Sequence, residues 1–264
     1  MYNAKEKTLT AEGREWRYIT FGKGKRPLVM IQGLNTRGIK GSATPLAFMY
    51  RCFTKEYTVY LFERRSEISD GVTVRDMASD IALVMDALGI KDADILGVSQ
   101  GGMIAQYLAI DRPDLVRRMV LAVTLSRNNE TVRTVIERWI ALTEAGDYKT
   151  LTRDMAERMY SEAYVKRYRL FMPLLTILQK PRDPERFIIM ARSCLTCNAY
   201  DELDKIKCPT LVLGGAKDKV VGGEGSAEIA ERLGCESYIY EALGHAAYEE
   251  AKDFNKRVLE FLTE

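Results

Sequence analysis

Short, uninterrupted apolar runs punctuate this chain. They lie at residues 27–31 (Pro27-Leu28-Val29-Met30-Ile31), 57–62, 93–98 (Ala93-Asp94-Ile95-Leu96-Gly97-Val98), 119–123, 210–213 and 237–240. A strand with one wet face alternates apolar and polar residues. A short run without alternation reads as a strand covered on both faces, as in parallel sheets. Between the runs lie amphipathic segments. Residues 72–88 set Val74, Met77, Ile81, Val84 and Leu88 three or four apart, and Gly89 follows where a helix closes in the left-handed conformation. Residues 100–110 predict a second helix, stopped soon after by Pro113, and residues 255–262 a third. Strand, helix and strand at these separations imply right-handed crossovers on an open α/β sheet, mostly parallel and flanked by helices.

Residues 127–200 break the alternation. Their periodicity is helical throughout, in four pieces divided near Gly146-Asp147, Ser161-Glu162 and Pro181-Arg182-Asp183-Pro184. They read as an all-helical cap inserted between two strands of a core made of 1–126 and 201–264. The insertion carries 13 Lys and Arg against 9 Asp and Glu. An excess of that size is an ordinary solvated face, with attraction of an anionic substrate as the alternative.

Composition narrows the class. With 264 residues, 47% hydrophobic and 29% charged, the chain is globular, one large domain or two small ones, and neither disordered nor fibrous. Thirty-nine Lys and Arg against 37 Asp and Glu give no basic excess for neutralising phosphates, which excludes nucleic acid as a partner. No stretch approaches about eighteen consecutive apolar residues, and the first seven residues form no apolar leader. The expectation is a soluble cytoplasmic protein without a membrane partner, with a homodimer left open. Five scattered cysteines, Cys52, Cys194, Cys197, Cys208 and Cys235, read as reduced thiols. Cys194 and Cys197 fall in a helical-looking run, so they are read as part of a buried helix face rather than as a redox or zinc pair.

Chemistry concentrates at the ends of the predicted strands. The run ending at Val98 passes directly into Ser99-Gln100-Gly101-Gly102 and a helix, giving Gly-x-Ser-x-Gly in strand–turn–helix context. A turn that sharp strains the serine backbone and leaves no room for side chains at 97 and 101, hence glycine. It presents the Ser99 hydroxyl at the carboxyl edge of the sheet and aims the Gln100 N–H at the oxygen of a bound carbonyl. A serine hydroxyl needs a base. The only imidazole, His245, follows the run 237–240 in a loop before the last helix. An acid to orient it comes from Asp218, four residues past an apolar run and a Gly214-Gly215 turn; Asp204, which precedes that strand, is the reserve. The order Ser99, Asp218, His245 matches that of α/β hydrolases. The run 28–31 leading into Gln32-Gly33-Leu34 supplies a second oxyanion donor, the Leu34 N–H.

These residues resemble the α/β-hydrolase superfamily, and most closely its branch of esterases, enol-lactonases, C–C-bond hydrolases and perhydrolases. The likeness covers nearly the whole chain. It rests on Gln32-Gly33, on 97–103, on Cys208-Pro209-Thr210 leading to Gly214 and Asp218, and on Gly244-His245 before a helix with Phe254 and Phe261. It implies Ser99 as nucleophile, His245 as base, Asp218 as its orienter, and Leu34 and Gln100 as the oxyanion hole. No metal or organic cofactor is implied. Two stretches depart from the pattern: Gln32-Gly33 stands where many members have His-Gly, and Glu63-Arg64-Arg65-Ser66 where many have Asp-x-Arg-Gly.

The expected reaction is cleavage of a small carboxylic ester or lactone through an acyl-enzyme. The same triad also serves C–C hydrolysis, acyl transfer or perhydrolysis, and a ligand-binding receptor on a hydrolase fold is the reading from another class. Trp139, Tyr160, Tyr164, Tyr168, Phe171 and Phe187, with Met159, Met172 and Met190, either line a substrate pocket or form the core of the cap. Arg37, just after the oxyanion loop, either binds a substrate carboxylate or sits exposed on the rim.

Overall fold

Each apolar run forms a strand of one sheet in the computed structural model, which describes residues 2–171, 174, 176–177 and 180–264. In chain order the strands are β1 (Lys5–Ala11), β2 (Arg14–Gly22), β3 (Arg26–Ile31), β4 (Tyr57–Phe62), β5 (Ala93–Val98), β6 (Val116–Ala122), β7 (Thr210–Gly215) and β8 (Glu236–Tyr240). Their spatial order is β1-β2-β4-β3-β5-β6-β7-β8. Pairing is parallel from β4 through β8 and antiparallel at β1/β2 and β2/β4. Alternate strand residues enter two cores. Val29, Ile31, Ile95, Met119, Leu121 and Val212 face one, while Leu28, Met30, Leu96, Val98, Val120 and Leu211 face the other. Burial on both faces is why these strands lack polar alternation.

The β1–β2 hairpin has no counterpart among the apolar runs. Most of Lys5–Ala11 is exposed, so it carries no continuous apolar signal. Its two-residue turn, Glu12-Gly13, takes φ of 48° and 73°, the left-handed pair that matches strand twist in a tight hairpin.

Helices α1 (Ala43–Met49), α2 (Val74–Ala87) and α3 (Gln100–Asp111) connect the first parallel strands. The start of α2 is fixed by a capping box, in which Asp76 N donates to Thr73 Oγ1 at 3.0 Å and Thr73 N to Asp76 Oδ2 at 2.9 Å. Between β6 and β7 lie α4 (Glu130–Glu144), α5 (Tyr148–Met159), α6 (Glu162–Tyr168) and α7 (Pro184–Cys194). Each starts at a side-chain cap, from Asn129, Asp147, Ser161 and Asp183 respectively. The chain ends with α8 (Glu224–Leu233), the short α9 (Ala247–Glu250) and α10 (Phe254–Thr263). None of the described helices is long and apolar enough to cross a membrane.

Candidate active site

Strand β5 is buried at all six positions and delivers Ser99 to the carboxyl edge of the sheet. Ser99 has φ 55° and ψ −121°, a backbone region that costs a non-glycine residue about 1–3 kcal/mol. Surrounding bonds hold it there. Ser99 N donates to Ala122 O at 2.8 Å, and its carbonyl accepts from Gly102 N and Thr124 Oγ1, both at 2.8 Å. Crowding explains the flanking glycines. A Cβ on Gly97 would lie 2.6 Å from Gly101 O, and one on Gly101 would lie 1.9 Å from Ile31 O.

Asp218 follows β7, and its carboxylate is occupied on both oxygens. Oδ1 accepts from Val220 N at 2.8 Å and Val221 N at 3.0 Å, while Oδ2 lies 2.8 Å from His245 Nδ1. His245 Nε2 lies 2.9 Å from Ser99 Oγ. An ionised carboxylate only accepts, so Nδ1 carries the ring proton and Nε2 is left to accept from the serine. Asp218 and His245 are 7% and 3% exposed, which removes water that would compete for these bonds. Asp204, by contrast, is exposed and its carbonyl accepts from Lys207 Nζ.

The loop carrying His245 is stitched to two sides. Lys217 N donates to Leu243 O at 3.0 Å on the sheet side. Toward the inserted helices, Ala246 N donates to Met159 O at 2.7 Å and Ser161 N to Glu250 Oε1 at 2.9 Å, while Ser161 Oγ donates to Glu250 Oε2.

Ser99 and His245 open on a cavity of about 40 Å³ lined also by Gly33, Leu34, Met103, Trp139, Met155, Met159 and Cys194. Trp139 is buried, and its Nε1 donates to Asp154 Oδ2 at 2.9 Å. Tyr168 borders a neighbouring cavity of about 370 Å³, together with Tyr160 and Tyr164. Arg37 is exposed and borders a third, of about 100 Å³, with Arg64, Arg182, Arg186, Phe187 and Met190. Phe171 is exposed; Met172 lies outside the described residues. A further surface depression, around Arg14, Arg65 and Ser69, includes none of Ser99, Asp218 and His245. Of the two cysteines, Cys194 ends α7 and Cys197 lies beyond it, both buried, and burial pushes both thiols up to about 12.

A further polar cluster backs the serine turn. The Gln100 side chain is buried; its Nε2 donates to Met190 O at 2.7 Å and Ser193 Oγ at 3.0 Å on α7, and its Oε1 accepts from Arg64 at 2.9 Å. The same Arg64 nitrogen donates to Gln32 O. Arg64 is 5% exposed, and burial pulls its guanidinium down to about 10. Arg64-Arg65 lies two positions past the apolar run 57–62, at the sheet edge where α/β sites lie, which marks a place in the sequence but not the partners gathered there. Among the described residues no group of three or more His, Cys, Asp and Glu side chains could hold a metal ion.

Comparison with known proteins agrees with this architecture. A family model described as the alpha/beta hydrolase fold matches residues 27–150. The chain is 24% identical over 221 residues to 3-oxoadipate enol-lactonase 2 of Acinetobacter baylyi, covering 81% of this chain and 79% of that one. It is 25% identical over 219 residues to 2-hydroxy-6-oxo-6-phenylhexa-2,4-dienoate hydrolase of Comamonas testosteroni, covering 80% and 73%. Among solved structures, the enol-lactonase from Burkholderia xenovorans LB400 superposes with a TM-score of 0.84 at 20% identity, over 98% of this chain and all (100%) of that one. An alpha/beta hydrolase enzyme from a Medee basin deep-sea metagenome library gives 0.85 at 21% identity, over 98% of each. Strand order, serine turn and these likenesses together show that the chain has the α/β-hydrolase fold.

Proposed function

We propose that this protein is a serine hydrolase of a small carboxylic ester or lactone. The observation that carries the reading is the unbroken hydrogen-bonded chain Asp218–His245–Ser99, with its serine end open to a cavity. As the Ser99 hydroxyl attacks the substrate carbonyl, His245 Nε2 takes its proton, and Asp218 stabilises the resulting imidazolium. The Leu34 and Gln100 N–H groups hold the oxyanion. The imidazolium then gives its proton to the leaving alcohol, or in a lactone to the alkoxide that stays tethered, and the neutral imidazole so restored takes a proton from the water that releases the acid from Ser99. The likeness to an enol-lactonase supports the reaction class.

Hydrolysis of 4-nitrophenyl acetate and labelling by a serine-directed fluorophosphonate test this reading. Wild-type protein should turn over the ester and take one label on Ser99, and Ser99→Ala should lose turnover by about 10³-fold or more. Turnover retained in Ser99→Ala, or a label elsewhere, would overturn it.

A further inference from the structure

The cavity at Ser99 is narrow. Its volume of about 40 Å³ has room for roughly three water molecules, enough for a small substituent only. The 370 Å³ cavity beside it shares Leu34, Met155 and Met159 as lining. A bond held over Ser99 therefore has one small compartment and one large one to receive its two sides.

A ladder of tyrosines forms one wall of the large compartment. Tyr160, Tyr164 and Tyr168 follow one another at four-residue spacing. The first two rings stack with centroids 4.4 Å apart at 10°, and the next two lie 4.4 Å apart at 37°. Aromatic residues at helical spacing ordinarily serve as core, yet α6 buries none of its residues, and all three tyrosines remain half-buried. The wall is thus aromatic surface facing open space. Besides tyrosine, the ionisable lining is a single carboxylate, Glu249, which accepts from Tyr160 Oη at 2.7 Å. No Lys, Arg or His lines this cavity among the described residues.

We propose that Tyr160, Tyr164 and Tyr168 bind an uncharged aromatic ring on one side of the scissile ester, while the small substituent on the other side occupies the cavity at Ser99. This assignment rests on the serine-hydrolase reading of the same site. With the rings laid against one another, their edges are left to meet the face of a further ring in T-shaped contact, with little conformational entropy to lose. Glu249 repels a carboxylate on that ring, so the compartment selects against anionic aryl groups.

The experiment compares 2-naphthyl acetate with ethyl acetate in wild type, Tyr164→Ala, Tyr168→Ala and Tyr164→Phe. It also titrates 2-naphthyl acetate into Ser99→Ala protein with and without Tyr164→Ala, followed by naphthyl fluorescence. The ratio of kcat/KM for the naphthyl over the ethyl ester should fall about tenfold in each alanine variant, chiefly through KM. Tyr164→Phe should keep the ratio within about twofold, and binding to Ser99→Ala should weaken about tenfold when Tyr164→Ala is added. A 6-carboxylate on the naphthyl ring should lower kcat/KM. A ratio and a binding constant unmoved by the alanine substitutions, or a preference for the carboxylated ring, would overturn the assignment. If neither ester is hydrolysed by wild type, the serine chemistry fails separately, because the Ser99→Ala titration reads the tyrosine wall without turnover.

Discussion

Arg64 donates to the side-chain oxygen of Gln100 at 2.9 Å and to the Gln32 carbonyl from the same nitrogen. One buried guanidinium thereby ties the serine turn to the loop that ends in Leu34, and its partners are neutral oxygens rather than a carboxylate. The two N–H groups proposed to hold the oxyanion belong to Gln100 and to Leu34, each within two residues of an atom that Arg64 grips.

Replacing this guanidinium should therefore loosen the oxyanion donors relative to each other. Arg64→Met is expected to lower kcat about tenfold to a hundredfold with a smaller change in KM, since bonds from a charged donor are worth about 1.5–3 kcal/mol. Arg64→Lys should recover part of kcat. Steady-state kinetics beside melting temperatures would separate the roles: a lowered melting temperature with kcat intact would make Arg64 merely structural.

Asp218→Asn tests the proton arrangement. The amide can keep the bonds from Val220 N and Val221 N, but it then offers N–H to His245 Nδ1 and forces the ring proton onto Nε2. That proton faces Ser99 and blocks its deprotonation. A loss of about 10³–10⁴ in kcat with little change in melting temperature is expected; near-normal turnover would remove Asp218 from the relay.

The glycines of the serine turn should differ sharply from a glycine in open space. A Cβ at position 101 would lie 1.9 Å from Ile31 O and 2.7 Å from Gln32 O, whereas at Gly89 it meets nothing within 4 Å and only the left-handed φ of 65° opposes it. Gly101→Ala should cost about 2 kcal/mol or more of stability, and Gly89→Ala about 1 kcal/mol. Urea titration of both variants checks the order, and the reverse ranking would contradict the packing described at the turn.

Acid should release Trp139 from its anchor. Burial raises the Asp154 carboxyl, but hydrogen bonds from Arg138, Trp139 and Arg158 outweigh it, so the group titrates below its ordinary 3.8. A carboxyl depressed in the fold adds stability above its unfolded value, and that stability is lost as pH falls below about 3.8 through the folded value. Melting temperatures of Asp154→Asn should thus be lower than wild type near neutrality and converge with it toward about pH 2. Parallel curves across that range would refute the linkage.

The cysteines should react in order of access. Cys52 is exposed, Cys208 and Cys235 are half-buried, and Cys194 and Cys197 are buried. Iodoacetamide under native conditions should modify Cys52 first and leave Cys194 and Cys197 unmodified until the protein unfolds, as peptide mass spectrometry would record. Early modification of Cys194 would contradict its burial beside Gln100.

Six strands were legible from the sequence; in five, β3 to β7, both faces are covered, which makes their apolar runs continuous, whereas β8 is an edge strand with most of its residues exposed. The 5–22 hairpin was not, because β1 leaves most of its side chains in water and Glu12-Gly13 is a weak turn signal. Ser99, Asp218 and His245 could be named because Ser99 directly follows a strand, the other two lie in the loops after strands, and the chain has one imidazole; their mutual distances could not. Arg64 and the Gln100 side chain escaped because the cluster joins four segments, at 32, 64, 100 and 190–194, and no spacing along the chain encodes such a meeting. Arg37 is near Leu34 in sequence but borders a different cavity, a separation set by how the loop turns after Leu34.

The bonds from Ala246 to Met159 and from Ser161 to Glu250 fasten the end of α5 and the start of α6 to the loop that carries the imidazole. Residues 159–161 are therefore an attachment point between the inserted helices and the His245 side of the molecule. In the proposed hydrolase, a displacement of these helices that left the Asp218–His245–Ser99 bonds intact would have to turn about this attachment, which would separate widening of the path to Ser99 from the alignment of His245.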